Sequence, residues 1–384
     1  MTTTQITTKE MPVAELTGRR QTSLGLPSGL AGGERRFPLT PEGAALLTDR
    51  GVDVRIEQGA GSSIHYADSA YERSGVHVGP RADCLRADAV ISLAPLSLSE
   101  TASLRRGTLL LTLSHSVTSS KAWAEALLRA GVNVVALDLV EADGGHKIFA
   151  DILHEIDGCA SMAIASALLT DPVHGKGILL GGVTGIVPCE VTVLGSGMGA
   201  IAAAHNALGL GATVRMFDND LYSLRQASRV LNQRVIASAL HPHVLEGALR
   251  SADVVVATPM TPPFQVDSAM VELMKRRALV FDLNPVPGHV FPSLPVFDLG
   301  EIEQRSLAAT TARACYFNVG CQVPRTAAMA LSNALISNLD LLLSANEGQL
   351  RGAILLWWGK AVSPRLAEML GVRPLDFNLL SNVN

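Results

Sequence analysis

The strongest constraint on the fold is a short glycine-rich segment that joins an apolar strand to a helix. The predicted strand covers residues 191–194, the segment reads GSGMGA over residues 195–200, and the predicted helix covers residues 201–208. In a GxGxxA segment the first glycine permits a tight turn, the second lets a phosphate approach the backbone, and the small last residue lets the helix pack closely on the sheet. The N–H groups at the helix N-terminus bind the phosphates. The segment therefore predicts a dinucleotide site formed by Gly195, Ser196, Gly197, Met198 and Ala200.

The next predicted strand, residues 213–217, ends in an acidic residue. Asp218 follows the first glycine by roughly twenty residues, the spacing of the carboxylate that accepts hydrogen bonds from the ribose hydroxyls. The same carboxylate repels a 2′-phosphate. Arg215 lies three residues earlier on the strand and should point to the opposite face. We therefore predict NAD rather than NADP as the cofactor, with a glycine-rich turn that binds no nucleotide as the alternative.

Short apolar runs alternate with helical patterns along the whole chain, which predicts βα units and parallel sheets. The other strands are predicted at residues 22–28, 52–57, 89–93, 109–114, 134–140, 254–258, 279–283 and 314–319. The other helices are predicted at residues 41–50, 121–130, 149–170, 324–344 and 349–370. The predicted fold class is α/β, with two Rossmann-like domains that each contain a parallel sheet.

The predicted division into domains follows the long helix and the glycine-rich unit. Residues 1–20 are polar and rich in threonine, and we expect a disordered tail there. A substrate domain is predicted from residues 21–148 together with 320–384, and a dinucleotide-binding domain from residues 149–319. Too few residues follow residue 319 for a third domain, so we expect the late helices to pack back on the first one.

Composition and charge exclude several classes of protein. The net charge of −4 gives no basic face for nucleic acid. The five cysteines are odd in number, widely spaced and without a CxxC, so we expect free thiols and no metal site. The N-terminus does not resemble a signal peptide. No apolar run reaches roughly 18 residues, with residues 178–194 coming nearest, so we expect no membrane span and a cytoplasmic protein.

Three further segments follow a recognisable pattern. Residues 34–41 read ERRFPLTP, residues 177–188 read GILLGGVTGIVP just before the glycine-rich loop, and Asn318 precedes VPRT at residues 323–326. In this order they resemble E-x-R-x-x-L-T-P, GVLLGGVPGVPP and N-M-P-x-x-V-P-R-T. These segments are typical of the alanine dehydrogenase and pyridine nucleotide transhydrogenase family, which the chain resembles over most of its length.

The resemblance implies a layout and three site residues. In the family the nucleotide domain is inserted into the substrate domain, and the active site lies in the cleft between them. Arg36 matches the arginine that binds the substrate carboxylate, His115 the active-site histidine, and Asn318 an asparagine beside the nicotinamide and the substrate. Without the resemblance, Arg36 would be interpreted as a solvated charge and His115 as a satisfied histidine at a strand end.

Two functional residues of the family are missing from the chain. The substrate lysine falls at Ala94, and the catalytic aspartate falls at about Val286. Asp282 matches only a structural aspartate of the same segment. These losses argue against alanine itself as the substrate, and His154 and His289 are candidates to replace the missing acid.

The sequence thus predicts an NAD-dependent oxidoreductase acting at a C–N bond of an amino or imino acid, as an amino-acid dehydrogenase or by reductive amination. Arg36 would hold the carboxylate with two hydrogen bonds, His115 would move the proton, and Asn318 would orient substrate and nicotinamide. The predicted partners are a small amino or keto acid and further copies of the chain, as a dimer or a hexamer. The alternatives are an opine-type synthase that joins a keto acid to an amino acid, and a non-catalytic NAD(H)-binding protein.

Overall fold

The computed structural model describes residues 22–30, 33–142, 144–300, 313–344 and 350–375. The tail predicted at residues 1–20 lies outside the described residues. The described part contains the strands β1 (Ser23–Leu26), β2 (Asp53–Glu57), β3 (His77–Gly79), β4 (Ala89–Ile91), β5 (Leu109–Thr112), β6 (Asn133–Ala136), β7 (Glu190–Leu194), β8 (Thr213–Phe217), β9 (Ile236–Ser238), β10 (Val254–Ala257), β11 (Ala278–Asp282), β12 (Val296–Asp298), β13 (Arg313–Phe317), β14 (Ile354–Trp357) and β15 (Lys360–Ala361).

The α-helices of the described part follow the strands in the alternating pattern of an α/β fold. They are α1 (Pro41–Asp49), α2 (Asp68–Glu72), α3 (Arg81–Leu85), α4 (Leu98–Ser103), α5 (Ser114–Thr118), α6 (Lys121–Ala130), α7 (Ile148–Thr170), α8 (Met198–Gly209), α9 (Leu221–Val230), α10 (Pro242–Ser251), α11 (Ser268–Leu273), α12 (Pro324–Ser344) and α13 (Pro364–Leu370). Single 3₁₀ turns lie at Ala60–Ile64, Leu137–Leu139 and Gly320–Gln322.

The first sheet has eight strands among the described residues, in the order β15-β14-β6-β5-β4-β1-β2-β3. The strands from β1 to β6 are parallel, whereas β14 pairs antiparallel with both β6 and β15. Because the carboxyl ends of parallel strands meet at one edge, the loops after β1, β4 and β5 lie together. These loops carry Arg36, Ala94 and His115.

In the described part of the chain the second sheet has seven strands, in the order β12-β13-β11-β10-β7-β8-β9, and each neighbouring pair of these is parallel. The strand order reverses at β7, which lies between β10 and β8. Ligands of such sheets bind at the carboxyl end of the strand where the order reverses, and the glycine-rich loop starts there. The two parallel-sheet units confirm the predicted fold class.

The long helix α7 lies against α8 through residues with little or no side chain. A Cβ added to Gly158 would lie only 2.3 Å from the carbonyl oxygen of Gly199. Ala203, on the same face of α8, is fully buried. The helix predicted over residues 149–170 is confirmed, and its small residues bring it next to the glycine-rich unit.

The late helix α12 packs beside α1 on the first sheet. A Cβ added to Gly43 would lie 2.1 Å from the hydroxyl oxygen of Ser332, so the two helices touch closely. Arg50 at the end of α1 donates to the carbonyl of Ile336 at 2.9 Å. Leu331 and Leu335 belong to the apolar core below this sheet. The domain bounds given by the sequence analysis stay a prediction.

The helix predicted over residues 349–370 is wrong. β14 and β15 form an antiparallel hairpin there, and among the described residues 350–370 only residues 364–370 form an α-helix. A short apolar run such as Ile354–Trp357 has no periodicity that separates a buried strand from a buried helix. The backbone turns at Trp358 and Gly359, both with positive φ, and so joins the two strands.

Within the described part of the chain, two helices are long and apolar enough to cross a membrane by length and composition alone, namely Ile148–Thr170 and Pro324–Leu343. In each, 44% of the apolar window is buried inside the protein, and core helices of this kind pass the same test. The expectation that residues 178–194 come nearest to a span is wrong, because only Glu190–Leu194 of that segment is regular, as a strand.

Candidate active site between the two sheets

The glycine-rich loop has an open face and a closed face. Gly195 has φ +107°, and a Cβ there would lie 2.1 Å from the hydroxyl oxygen of Thr258, so only glycine fits. A Cβ on Gly197 would meet no protein atom within 4 Å, so it would stand in the open space before the loop. α8 begins at Met198 without a side-chain cap, which leaves its first N–H groups available to an anion. Ala200 is fully buried against the sheet.

Asp218 lies at the end of β8 and is held by the loop. The Ser196 hydroxyl donates to its Oδ2 at 2.7 Å, and the Asp220 N–H donates to its Oδ1 at 2.9 Å. Arg215 pairs instead with Glu190 at the start of β7 at 3.1 Å. The open face of the loop and this oriented carboxylate fit the pyrophosphate and the ribose of NAD.

A cleft of about 390 Å³ lies between the carboxyl edges of the two sheets. The structure brings together there the three residues that the resemblance selected, Arg36, His115 and Asn318. Ala94, at the position of the family's lysine, also lines the cleft, and its side chain carries no charge. His289 and Val286 line an adjoining cavity of about 430 Å³, which shares His115 with the cleft.

Arg36 is paired with a residue that the sequence analysis did not select. Its Nε and Nη2 donate to the two carboxylate oxygens of Glu34 at 2.9 Å and 2.6 Å. Burial would raise the pKa of Glu34, but the charge and hydrogen bonds of Arg36 outweigh burial and lower it. Cys321 adds an S–H donor to Glu34 at 3.2 Å. One edge of the guanidinium is therefore already occupied.

His115 is the second residue of the short helix α5 after β5, and its imidazole is largely buried. Burial lowers the pKa of His115, and the nearby carboxylate of Asp138 opposes the shift without reversing it. Asp138 accepts from the backbone N–H and the hydroxyl of Ser114, at 2.7 Å and 2.5 Å. His115 is consequently neutral near pH 7 and free to accept a proton. The pKa of His154, in the same cleft, is lowered by burial in the same way.

Asn318 follows β13 in a left-handed backbone conformation with φ +59°, which asparagine tolerates better than most residues. Its Nδ2 donates to the carboxylate of Asp298 at 3.2 Å and 3.3 Å. The N–H of Gly300 also donates to Asp298, at 2.6 Å. These hydrogen bonds fix the orientation of the Asn318 amide in the cleft.

Two further acids line the cleft, and one of them was missed by sequence reasoning. Asp282 is the last residue of β11, and its carboxylate accepts hydrogen bonds from the backbone and side-chain N–H groups of Asn284 and from the N–H of Gly288. Asp157, on α7, accepts the N–H of Gly320 at 2.7 Å. Burial raises the pKa of Asp157 to about 6, although Arg36 opposes the shift. Its sequence signal is weak, because Asp157 is one of three acids in a mostly apolar helix. It follows His154 by three residues and so lies on the same face.

Two parallel-sheet units, a phosphate loop at a strand-order reversal and a polar cleft beside it define a dinucleotide-binding α/β protein of the two-sheet type. The model of the "Alanine dehydrogenase/PNT, N-terminal domain" family matches residues 25–152, and that of the C-terminal domain matches residues 161–355. The chain belongs to the alanine dehydrogenase/PNT family, as the three sequence segments indicated. NAD is accordingly its cofactor.

The relatives cover most of the chain. It is 31% identical to an alanine dehydrogenase of Mycobacterium tuberculosis over 329 residues, 81% of this chain and 85% of the relative. It is 31% identical to that of Mycolicibacterium smegmatis over 367 residues, covering 93% and 94%. A solved L-alanine dehydrogenase superposes with a TM-score of 0.76 and 25% identity, over 91% of this chain and 99% of that one. A transhydrogenase from Sinorhizobium meliloti shares the fold, with a TM-score of 0.71, 18% identity and coverage of 89% and 99%.

Proposed function

We propose that the chain is an NAD-dependent oxidoreductase that acts at the C–N bond of an amino or imino acid. The observation that supports this most is the convergence of Arg36, His115 and Asn318 in one cleft beside the phosphate loop. The curated relatives at 31% identity are alanine dehydrogenases. The three residues come from separate elements, the loop after β1, the helix after β5 and the end of β13, so their convergence is a property of the fold.

Each of the three residues has a role that follows from its surroundings. Arg36 binds the substrate carboxylate through the guanidinium N–H groups that Glu34 does not use. His115, neutral near pH 7, exchanges protons with the water that adds to or leaves the imine carbon. Asn318, fixed by Asp298, orients the reacting carbon toward the nicotinamide. NAD⁺, which the glycine-rich loop and Asp218 would hold, would supply the hydride acceptor for that carbon.

The substrate proposed is an amino acid other than alanine. Ala94 and Val286 replace the two family residues that carry charge, so the contacts that suit a small amino acid are reduced. The adjoining cavity of about 430 Å³ extends the space around His115. The same cavity favours the second candidate, an opine-type synthase, because a synthase must hold an amino acid beside a keto acid.

A panel assay tests the proposal. Formation of NADH would be measured with single amino acids, and its consumption with keto acids plus ammonium or plus a second amino acid. Turnover with ammonium identifies the dehydrogenase, and turnover only with an amino acid as nitrogen donor identifies the synthase. Tight NADH binding without turnover of any pair would instead identify a non-catalytic NAD(H)-binding protein.

The partner proposed for the surface is a second copy of the chain, in a dimer or a hexamer. The loop before β7 exposes a run of aliphatic side chains, of which Val173 is 71%, Ile186 69% and Val187 85% exposed. Exposed apolar side chains that gather on one surface are typical of interaction sites. A Val187→Asp variant that sediments as a smaller species than wild type would support this interface.

The five cysteines are all free in the structure, which suits the reducing cytoplasm proposed as the location.

A further inference from the structure

Asp157 lines the cleft, and one of its carboxylate oxygens is held against the backbone. Its Oδ1 accepts the N–H of Gly320 at 2.7 Å. A Cβ on Gly320 would lie 2.3 Å from that oxygen, so only glycine permits the approach. Among the described residues no other donor reaches the carboxyl group, and Asp157 lines the cleft. Oδ2 is thus available to a molecule bound there.

The charges around Asp157 compensate its carboxylate only in part. Arg36 is the single arginine or lysine among the described residues that line the cleft, and Glu34 already pairs with it. Burial lowers the pKa of His115 and of His154, so neither histidine supplies a positive charge near pH 7. The thiol of Cys321, which donates to Glu34, adds no positive charge, because burial raises its pKa and keeps it neutral. An ionised Asp157 therefore gives this part of the cleft a net negative charge.

We propose that Asp157 binds the reacting nitrogen of the substrate, accepting an N–H hydrogen bond at Oδ2, and takes the place of the acid missing at Val286. The inference rests on the proposed function, because it assigns the nitrogen end of the same amino acid. Arg36 and Asp157 both line the cleft and attract each other electrostatically. An α-amino acid carries its carboxylate and its nitrogen on one carbon, so it can reach both groups at once.

The chemistry balances with one proton acceptor at the nitrogen. In the oxidative direction the C–H electron pair leaves the α-carbon as hydride to NAD⁺, one N–H bond breaks, and its electrons form the C=N bond. The proton from nitrogen goes to Asp157, whose pKa of about 6 keeps it ionised at neutral pH. In reverse, protonated Asp157 returns the proton to the imine nitrogen. His115 still transfers the protons of the water that adds to or leaves the imine carbon. His154 is neutral, so it has no negative charge with which to bind an ammonium ion.

Reductive amination separates the two ends of the substrate, because the keto acid and the ammonium are added independently. Asp157→Asn keeps the size of the side chain and an acceptor for the Gly320 N–H but removes the charge. We expect it to raise KM for ammonium about 10–100-fold, the value of a hydrogen bond to a charged group. KM for the keto acid should change less than about twofold, and NADH affinity, measured by fluorescence, should not change. Arg36→Lys should have the opposite effect, raising KM for the keto acid and changing KM for ammonium little.

The control is Glu155→Gln, which removes an exposed acid from the same helix and should leave both KM values unchanged. A wild-type KM for ammonium in Asp157→Asn would overturn the inference and leave the proposed function intact. Equal increases in both KM values would also overturn it, because they indicate a structural role. If the wild-type enzyme uses an amino acid as its nitrogen donor, KM for that amino acid is measured in place of KM for ammonium. Wild-type protein inert with every pair would overturn the proposed function and this inference together.

Discussion

Arg36 and Glu34 form two parallel hydrogen bonds inside the cleft, from Nε to Oε1 at 2.9 Å and from Nη2 to Oε2 at 2.6 Å. The pair holds the guanidinium plane in one orientation before any substrate arrives. It also halves the number of guanidinium edges open to a carboxylate. Recognition of the substrate carboxylate thus depends on the guanidinium N–H groups that Glu34 does not use. A lysine is therefore a poorer replacement for arginine here than at an exposed site.

Arg36→Lys should raise KM for the keto acid about 10–100-fold with a smaller effect on kcat. A lysine cannot bond both oxygens of Glu34 and still offer planar N–H groups to a substrate. Steady-state kinetics with saturating NADH measures the effect. An unchanged KM would show that the carboxylate binds elsewhere in the cleft.

Gly197→Val should abolish NADH binding while the protein stays folded. The new side chain meets no protein atom within 4 Å at its Cβ, so it occupies only the space of the pyrophosphate. Gly209→Val, at the far end of the same helix and equally free of contacts at Cβ, serves as the matched control and should bind NADH normally. Fluorescence titration and a thermal melt check both variants. Normal NADH affinity in a folded Gly197→Val would place the phosphates elsewhere.

Asp218→Ala should narrow the preference for NAD over NADP. The wild-type carboxylate accepts from the ribose hydroxyls and repels a 2′-phosphate, and both effects disappear in the variant. We expect NADH affinity to fall about tenfold and NADPH affinity to rise, as measured by calorimetry with each cofactor. Wild-type protein that binds the two cofactors equally would contradict this role of Asp218.

Asp157→Asn should stabilise the ligand-free protein relative to wild type at pH 8 more than at pH 4. The pKa of Asp157 is raised to about 6 from 3.8, so the native state binds its proton more tightly than the unfolded chain does. The stabilisation from that proton is complete below pH 3.8 and is lost as the pH rises through 6. Asparagine lacks the titration. Melting temperatures of both proteins are measured across this pH range. A difference between the two proteins that stays constant with pH would show that the pKa of Asp157 is not raised in the folded protein.

The sequence predicts the nucleotide unit well because its requirements are local. The turn at Gly195 needs a positive φ, the packing at Ala200 needs a small side chain, and β8 ends in Asp218. Each requirement is written in neighbouring residues. Strand β14, in contrast, is defined by its antiparallel pairing with β6, a partner more than two hundred residues away, and no local pattern distinguishes it from a helix.

The candidate site is predictable only in part for the same reason. Arg36, His115 and Asn318 lie at strand ends, where a resemblance in motif can point to them. Glu34 and Asp157 gain their importance from contacts with Arg36 and Gly320, which bring together segments far apart in the chain. An acid in an apolar helix is no signal until the fold shows what it faces.

The most direct test of the central claim is a comparison of wild-type protein and His115→Ala in the NADH-linked panel assay. Wild type should turn over at least one amino acid with NAD⁺. His115→Ala should lower kcat for that substrate about 10²–10⁴-fold, the loss expected for a general acid/base, and leave NADH affinity unchanged. Because the pKa of His115 lies below its ordinary 6.5, the acid limb of the wild-type profile should lie below that pH. Inert wild-type protein, or near-normal turnover in His115→Ala, would contradict the account.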